Sequence, residues 1–306
     1  MLAIVSAVPM NRILCDFAPC VIISSVVECS IALRFSIELV ATILPESLVT
    51  LAVSDGVVRL TLNRPQKRNA LTRELLVELS AQLKYVALRS DVRCLVLGAT
   101  GPAFCAGMDL AQMQETAGRP DAAQIWNGDT QLYHDVVAAL FELPLPTLAV
   151  VQGPAVAGGL GLVLACDLVI ATESATFALP EPRRGITAAI VTPLLLYRAG
   201  VAGASFLLLS GESLDARGAL RMGICHSVVE PVRLTAAADE RVRSILSGAP
   251  GALAITKQQL RACAAGAVTG QLMRAVAVSA EARETTEARE GLQAFLEKRP
   301  PTWQPK

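Results

Sequence analysis

Histidine is scarce in this sequence, and the cysteine spacings that build metal sites are absent. Only His134 and His226 occur among 306 residues, so a zinc site or a histidine-based catalytic triad has little to work with. The eight cysteines include no C-x-x-C pair, and several lie in apolar runs where a thiol behaves as a small hydrophobic side chain. The sequence therefore predicts no metal site and favours a reducing compartment, for which we expect the cytoplasm.

Net charge is also lacking. Lys plus Arg and Asp plus Glu each number 27, which gives a formal net charge of zero. No basic field is available to attract nucleic acid or an anionic membrane, so neither is expected as a partner. A hydrophobic content of 53% is ample for a large core in one or two domains. A small ligand recognised by local contacts is the expected partner.

The first 45 residues differ in character from the rest. Their apolar run Cys20–Val27 is too short to span a bilayer, and the segment lacks the ordered regions of a signal peptide. We therefore expect an N-terminal extension of unknown role over residues 1–45, a core over 46–250 and a C-terminal helical region over 251–306.

Strand and helix patterns alternate from Leu48 onward. Two alternating apolar runs around Ser54-Asp55-Gly56 predict a β-hairpin. Leucines and valines at helical spacing then predict a helix over 71–88, with Thr72 able to cap it. Short apolar strands such as VRCLVLGAT and PTLAVVQG follow, separated by helices, and the chain is mostly helical beyond Ile190. This order predicts an α/β fold with crossover connections between buried strands.

The stretch AVAGGLGLVLACD places glycines where a predicted strand runs into a helix. The amides of Gly158 and Gly159 would lie at the helix N-terminus, where they have no partner inside the helix and the helix dipole is positive. They suit either a phosphate or a developing oxyanion. The dinucleotide pattern G-x-G-x-x-G fails because Leu164 stands at its last position. The alternative is that the glycines only allow this helix to pack closely on a neighbour.

Four segments resemble, in order and spacing, signature segments of the enoyl-CoA hydratase/isomerase family, also called the crotonases. The resemblance covers residues 48–265, and it implies an α/β crotonase-like spiral of ββα units followed by a helical C-terminal region. It further implies assembly as a homotrimer or hexamer, acyl-CoA thioesters as substrates, and no cofactor, since CoA is part of the substrate. The segments are LNRPQKRNALTREL, GPAFCAGMDL, VQGPAVAGGLGLVLACDLVIATESATFALPEPRRGI and LSGESLDARGALRMGICHSVV.

The resemblance also implies how the thioester is held. Reaction at the carbon beside the thioester carbonyl places negative charge on the carbonyl oxygen. Each fixed backbone N–H that donates a hydrogen bond to this oxygen stabilises the transition state by about 3 kcal/mol. Matched residue by residue, the two donors are Ala70 and Gly158. Lys67 and Arg68 are candidates for contacts with CoA phosphates, with a solvated loop as the alternative, and Lys257 is a weaker candidate of the same kind. The expected acyl-CoA contacts are Arg68, Ala106, Gly107, Met108, Asp109, Leu110, Gly159 and Gly161.

The acid/base group separates the reactions of this family. Its hydratases commonly carry two glutamates; here the first position is Gly161 and the second is Glu181. A carboxylate on a stiff loop beside an apolar pocket should have a raised pKa and be able to move a proton. The alternative is a surface glutamate paired with Arg183 or Arg184. We predict that Gly161 leaves space for a larger acyl group.

A single glutamate leaves three functions open. Glu181 could serve an enoyl-CoA hydratase that adds water to a 2-enoyl-CoA through an oxyanion-stabilised enolate, which the sequence favours. It could instead move a proton between two carbons, as in an enoyl-CoA delta-isomerase. The third function is a non-catalytic acyl-CoA-binding protein. The acyl group is undetermined, and Trp126 and Tyr133 either line its pocket or pack in the core.

Overall fold

A computed structural model describes residues 47–264 and 268–304. The expected extension over residues 1–45 lies outside the described residues. The domain boundaries expected from the sequence stay predictions.

Strands form two sheets. The six-stranded sheet has the order β1-β2-β3-β4-β6-β9, antiparallel between β1 and β2 and parallel elsewhere; the three-stranded sheet has the order β5-β7-β8. The predicted hairpin is confirmed, because Asp55 and Gly56 both take positive φ in its two-residue turn. The strands are β1 (Val49–Ser54), β2 (Val57–Leu62), β3 (Cys94–Ala99), β4 (Thr147–Val151), β5 (Ala155–Val156), β6 (Leu168–Thr172), β7 (Thr176–Ala178), β8 (Ser213–Asp215) and β9 (Ser227–Val229).

Helices fill the connections and the C-terminal part. The first begins after Thr72, whose hydroxyl accepts a hydrogen bond from the Leu75 N–H as the predicted cap. The expected α/β fold with a helical C-terminal region is confirmed. The helices are α1 (Arg73–Ala87), α2 (Leu110–Ala117), α3 (Ala122–Glu142), α4 (Gly158–Ala165), α5 (Val191–Ser210), α6 (Ala216–Arg221), α7 (Leu234–Leu246), α8 (Pro250–Ala264), α9 (Val268–Glu284) and α10 (Thr286–Leu296).

Both faces of the larger sheet are buried, as parallel strands require. In β3, Leu95 and Leu97 face the main core, while Cys94 and Val96 belong to a smaller cluster with residues of α7. Parallel strands β2, β3 and β4 end on the same side of this sheet, and the loops that follow their carboxyl ends build the candidate site.

Helix α5 is the one described helix that is long and apolar enough to cross a membrane. Its backbone leaves helical geometry at Gly200, where φ is 64°, so it consists of two shorter helices. Leu194, Leu195 and Leu207 are fully buried. Burial covers 39% of the most apolar stretch of the helix, so only part of it packs in the core.

Candidate active site

Three backbone segments meet beside the start of α4. The Leu71 N–H donates to the Gly107 carbonyl at 2.8 Å, and the Asp109 N–H donates to the Leu71 carbonyl at 2.9 Å. On the other side, the Val156 N–H donates to the Cys105 carbonyl at 2.9 Å. We call the connection between β2 and α1, residues 63–72, the first loop. The segment containing residues 105–109 is therefore held between the end of the first loop and strand β5, which leads into α4.

The N–H of Met108 faces away from Leu71. Leu71 and Met108 form a parallel bridge in which Leu71 bonds only to the residues that flank Met108. The backbone groups of Met108 itself must then point to the opposite side. No carbonyl of the described residues accepts its N–H.

Gly107 brings this segment against the first residue of α4. Its φ is +86°, and a Cβ placed there would lie 2.7 Å from the Ala157 Cβ and 3.3 Å from the Gly158 nitrogen. Only glycine permits both that conformation and that approach. The backbones of residues 107–108 and of Gly158 are consequently neighbours.

Ala157 directs the chain into α4 through a strained conformation. Its φ is 54° and its ψ is −126°, which costs a residue with a Cβ on the order of 1–3 kcal/mol. Gly158 follows as the first helical residue, so its N–H has no intrahelical acceptor. Strain of this kind is often concentrated at functional sites, and here it sets the direction of the Gly158 amide.

The structure differs from the expectation for Ala70. Its N–H donates to the Lys67 carbonyl at 3.1 Å, as part of the turn that follows the short helix Pro65–Lys67. An amide N–H that already donates a hydrogen bond inside a turn is not free to donate one to the oxygen of a ligand. Met108, expected only as a CoA contact, has the free amide instead.

Asn69 is a residue that the sequence reasoning missed. It is fully buried with φ 54°, its side-chain amide donates to the carbonyls of Thr100 and Ala103 at 2.9 Å, and its Oδ1 accepts from the Arg64 N–H at 2.8 Å. Asn69 therefore fastens the first loop to the loop after β3. Asparagine tolerates positive φ better than most residues, so Asn69 in the segment LNRPQKRNALTREL is a sequence signal for such a turn.

The side chain of Asp109 is bound within the protein. Its carboxylate caps α2 by accepting from the N–H groups of Ala111 at 3.0 Å and Gln112 at 3.3 Å, and it accepts from Arg64 Nη1 at 2.6 Å. Burial acts to raise the pKa of Asp109, but these hydrogen bonds outweigh it and hold the pKa below its ordinary value. The backbone of Asp109 is also bound within the protein, since its N–H donates to the Leu71 carbonyl and its carbonyl accepts from the Met113 N–H at 3.0 Å. Asp109 therefore shapes the loop.

A groove and an inner chamber adjoin these segments. The groove has a volume of about 830 Å³ and is lined by basic Lys67, Arg68 and Arg184. The chamber, about 60 Å³, lies beside Gly158 and Glu181. Of the predicted acyl-CoA contacts, the residues that line the groove are Arg68, Ala106, Met108, Asp109 and Leu110.

Two of the three helix glycines serve packing. A Cβ at Gly159 would lie 2.4 Å from the Cys105 carbonyl oxygen, and a Cβ at Gly161 would lie 2.1 Å from the Tyr133 hydroxyl. Neither glycine lines the groove or the chamber. The packing alternative therefore holds for Gly159 and Gly161, while Gly158 faces the chamber.

Tyr133 occupies the space beside Gly161. Its side chain is buried, lines the chamber, and donates its hydroxyl hydrogen to the Gly158 carbonyl at 2.7 Å. The expectation that Gly161 leaves room for a larger acyl group is therefore wrong, because a tyrosine from α3 fills that room.

Glu181 is a buried carboxylate with an unsatisfied oxygen. It begins the short helix Glu181–Arg184 between two prolines, it is 6% exposed, and its Oε2 has no hydrogen-bond partner among the described residues. Burial raises the pKa of Glu181 to about 7, against smaller opposing effects of a backbone hydrogen bond and of Arg184. The alternative of a surface glutamate is wrong. A carboxyl group poised near neutral pH can both accept and donate a proton.

Lys257 lies away from the groove. Its buried Nζ is 2.5 Å from Asp167 Oδ2 and donates to the Leu145 carbonyl at 2.9 Å. The structure thus corrects the expectation that Lys257 contacts CoA phosphates, because its ammonium group is bound to residues that precede β4 and β6.

Comparisons with known proteins agree with this architecture. A family model described as enoyl-CoA hydratase/isomerase matches residues 52–306. The chain is 33% identical to 1,2-epoxyphenylacetyl-CoA isomerase of Escherichia coli (strain K12), over 81% of this chain and 95% of that protein. It is 34% identical to (E)-benzylidenesuccinyl-CoA hydratase of Thauera aromatica, over 83% and 98% respectively.

Solved structures give the same result. The crystal structure of an enoyl-CoA hydratase from Mycobacterium avium is 35% identical and matches with a TM-score of 0.75, covering 85% of this chain and all of that one. These relatives include both a hydratase and an isomerase at similar identity, so sequence similarity does not distinguish the two reactions.

Proposed function

We propose, from the fact that this chain belongs to the enoyl-CoA hydratase/isomerase family, that it is an enoyl-CoA hydratase working with a single glutamate. The family acts on acyl-CoA thioesters. The observation that carries the proposal is Glu181, a buried carboxylate with an unpaired oxygen on the wall of the chamber that Gly158 also lines. A buried carboxylate destabilises the folded chain unless something compensates its charge. Its position on the chamber wall therefore indicates a role in binding or proton transfer.

The amides of Gly158 and Met108 are the proposed oxyanion donors. Both belong to backbone that the fold holds rigidly, and the Gly107 contact makes them neighbours. Donors fixed before the reaction need no reorganisation as charge develops on the thioester oxygen. Met108 thus takes the role that the sequence reasoning assigned to Ala70.

The hydration then proceeds through one carboxylate. Ionised Glu181 takes a proton from water while the water oxygen bonds to the β-carbon, and the π electrons move to the thioester oxygen to form the enolate. Protonated Glu181 then delivers that proton to the α-carbon, and the carbonyl reforms. The product contains one added water, and Glu181 is ionised again.

An isomerase is the second candidate, supported by the filled space at Gly161. Tyr133 occupies the position where the family's first glutamate would stand, so the chamber offers one carboxylate. One carboxylate is enough to take a proton from one carbon of an enoyl thioester and return it to another. Hydration by one carboxylate needs a bound water as well.

Glu181→Gln tests both reactions. The substitution removes the proton-transfer group while keeping its size, so we expect kcat to fall by about 10²- to 10⁴-fold while the Kd for CoA stays within about twofold. Purified protein is incubated with 2-enoyl and 3-enoyl thioesters and the products are analysed by mass and absorbance. Added water indicates the hydratase, and a shifted double bond at unchanged mass indicates the isomerase.

A matched control is Glu212→Gln, the same substitution at an exposed position that lines neither cavity. It should leave kcat unchanged. Full activity of the Glu181→Gln variant would contradict the proposed mechanism, and tight binding without turnover by the native chain would favour the non-catalytic function.

We further propose, as the resemblance implies, that the chain forms a homotrimer or hexamer and works in the cytoplasm. Exposed apolar side chains on the late helices, among them Leu209, Ile255 and Leu260, support an assembly. Light scattering on the purified full chain tests the oligomeric state, and a monomer at micromolar concentration would contradict it.

A further inference from the structure

The wall of the chamber contains an arginine that has no acidic partner among the described residues. Arg283 lines the chamber, and its Nη1 donates to the Thr130 hydroxyl at 2.7 Å and to the Trp126 carbonyl at 3.3 Å. Its Nε and Nη2 make no hydrogen bond within the described residues. No carboxylate of those residues lies within ion-pairing distance of Arg283.

The carboxylate that affects the pKa of Arg283 already has a partner. Asp129 is close enough to affect the pKa of Arg283, but both of its carboxylate oxygens accept from Arg73, Oδ2 at 2.8 Å from Nη2 and Oδ1 from Nε. Arg73 therefore leaves Asp129 no free oxygen directed at the chamber. Burial lowers the pKa of Arg283, and Asp129 compensates only in part.

Two other donors lie beside Arg283 without acceptors among the described residues, one in the chamber and one in the adjoining cavity. Ser279 lies one helical turn before Arg283 on α9 and lines the chamber, so the two side chains share one face of the helix. The Trp126 side chain is 7% exposed and lines the adjoining apolar cavity with Arg283, and its indole N–H has no acceptor among the described residues. Glu181 lines the same chamber, but no ion pair joins it to Arg283 among the described residues. The unpaired donors are complementary to a ligand that carries acceptors.

The thioester and pantetheine parts of an acyl-CoA do not supply such a group at this place. They are uncharged, and the CoA phosphates belong in the wide groove lined by Lys67 and Arg68, not in a chamber of about 60 Å³. Arg283 is half-buried, and its guanidinium cannot lose its proton as a lysine can, so an anion is the ligand that best compensates its charge. Its planar donors match a carboxylate in particular.

We infer that this site is selective for short acyl-CoA thioesters whose acyl chain ends in a carboxylate, bound by Arg283 together with Ser279 and Trp126. The inference rests on the proposed function, since it names the substrate class of the same site. Arg283 is here a specificity residue and takes no part in proton transfer.

The test measures binding, so it does not depend on turnover. Isothermal titration gives the Kd of the full chain for saturated thioesters in pairs of equal length: succinyl- with butyryl-CoA, glutaryl- with pentanoyl-CoA, and adipoyl- with hexanoyl-CoA. We expect the acid to bind at least about tenfold more tightly than its aliphatic partner at one or more lengths, the difference of one good charge-assisted contact.

Arg283→Gln should abolish this preference while the Kd for the aliphatic thioesters changes by no more than about threefold. Arg283→Lys should keep part of the preference, because it retains charge without the planar donors. The control is Arg274→Gln, on the same helix and exposed, which should leave every ratio unchanged.

The native chain alone can overturn the inference, so it remains falsifiable if a variant fails to fold. Equal or weaker binding of the acids at all three lengths overturns it, and so does a preference that survives in Arg283→Gln. Hydratase activity on crotonyl-CoA together with no preference for acids would refute this inference and leave the proposed function standing. A preference for acids without turnover would do the reverse.

Discussion

The two sides of the site differ in how they treat buried charge. On the side formed by the first loop, α1, α2 and α3, Asp109 is paired with Arg64 and Asp129 with Arg73. On the side formed by the Glu181 turn and α9, Glu181 Oε2 has no partner and Arg283 has no carboxylate among the described residues. Charges that are paired inside the protein fix backbone, and charges left unpaired at a chamber are available to a ligand.

Substituting a charged residue on each of the two sides should change the free energy of unfolding in opposite directions. We expect the largest change at Glu181. The pKa of Glu181 is raised from about 4.5 to about 7 in the folded chain. As pH rises through this interval, the unfolded chain loses its proton first, so ionisation lowers the free energy of unfolding of the native chain. Above pH 7 the full penalty is present, about 3 kcal/mol from the linkage relation.

Glu181→Gln removes that titration. We therefore expect the variant to be more stable than the native chain by about 3 kcal/mol above pH 7, and about equal to it near pH 4. Urea unfolding across this range, with Glu212→Gln as control, measures the difference. Parallel stability curves for the native chain and the variant would show that Glu181 is not held at a raised pKa.

A smaller effect of opposite sign should follow from breaking the paired side. Asp109→Ala removes the cap of α2 and leaves Arg64 without its carboxylate, so we expect the free energy of unfolding to fall by about 2 kcal/mol. Because Asp109 follows Met108 directly, we also expect kcat to fall by about tenfold, the loss of part of one donor's stabilisation.

Asp109→Asn is the matched comparison, since asparagine also caps helices but cannot pair with Arg64 as an ion. It should recover about half of the lost stability. If Asp109→Ala instead left stability unchanged and weakened CoA binding alone, the carboxylate would be a ligand contact, and the division between the two sides of the site would fail.

Periodicity and turn chemistry were sufficient to predict much of the fold. The hairpin, the capped helix α1, the alternation of strands and helices, and the glycine-led start of α4 all depend on residues close together in the chain. Such local patterns report secondary structure directly. Motif spacing identified Glu181 and Gly158 for the same reason, as each lies in a continuous segment.

Contacts between distant segments could not be predicted in this way. That the Ala70 amide is used in a turn while the Met108 amide is free depends on which residues of two distant loops form the bridge between them. That Tyr133 fills the space at Gly161 depends on how α3 packs on α4. The unpaired state of Arg283 likewise depends on three helices at once, and one sequence carries no signal for it.

The smallest effect concerns Tyr133, which lies between the two sides. Tyr133→Phe keeps the ring that fills the space at Gly161 and removes only the hydroxyl that donates to the Gly158 carbonyl, so we expect a loss of about 1 kcal/mol in the free energy of unfolding. A less restrained Gly158 should also lower kcat by severalfold with little change in KM, because an oxyanion donor acts in the transition state more than in substrate binding. Tyr85→Phe, an exposed position on α1, is the control for both measurements. A Tyr133→Phe variant with raised KM and unchanged kcat would instead place the hydroxyl against the acyl group, and the carbonyl contact would then have no catalytic consequence.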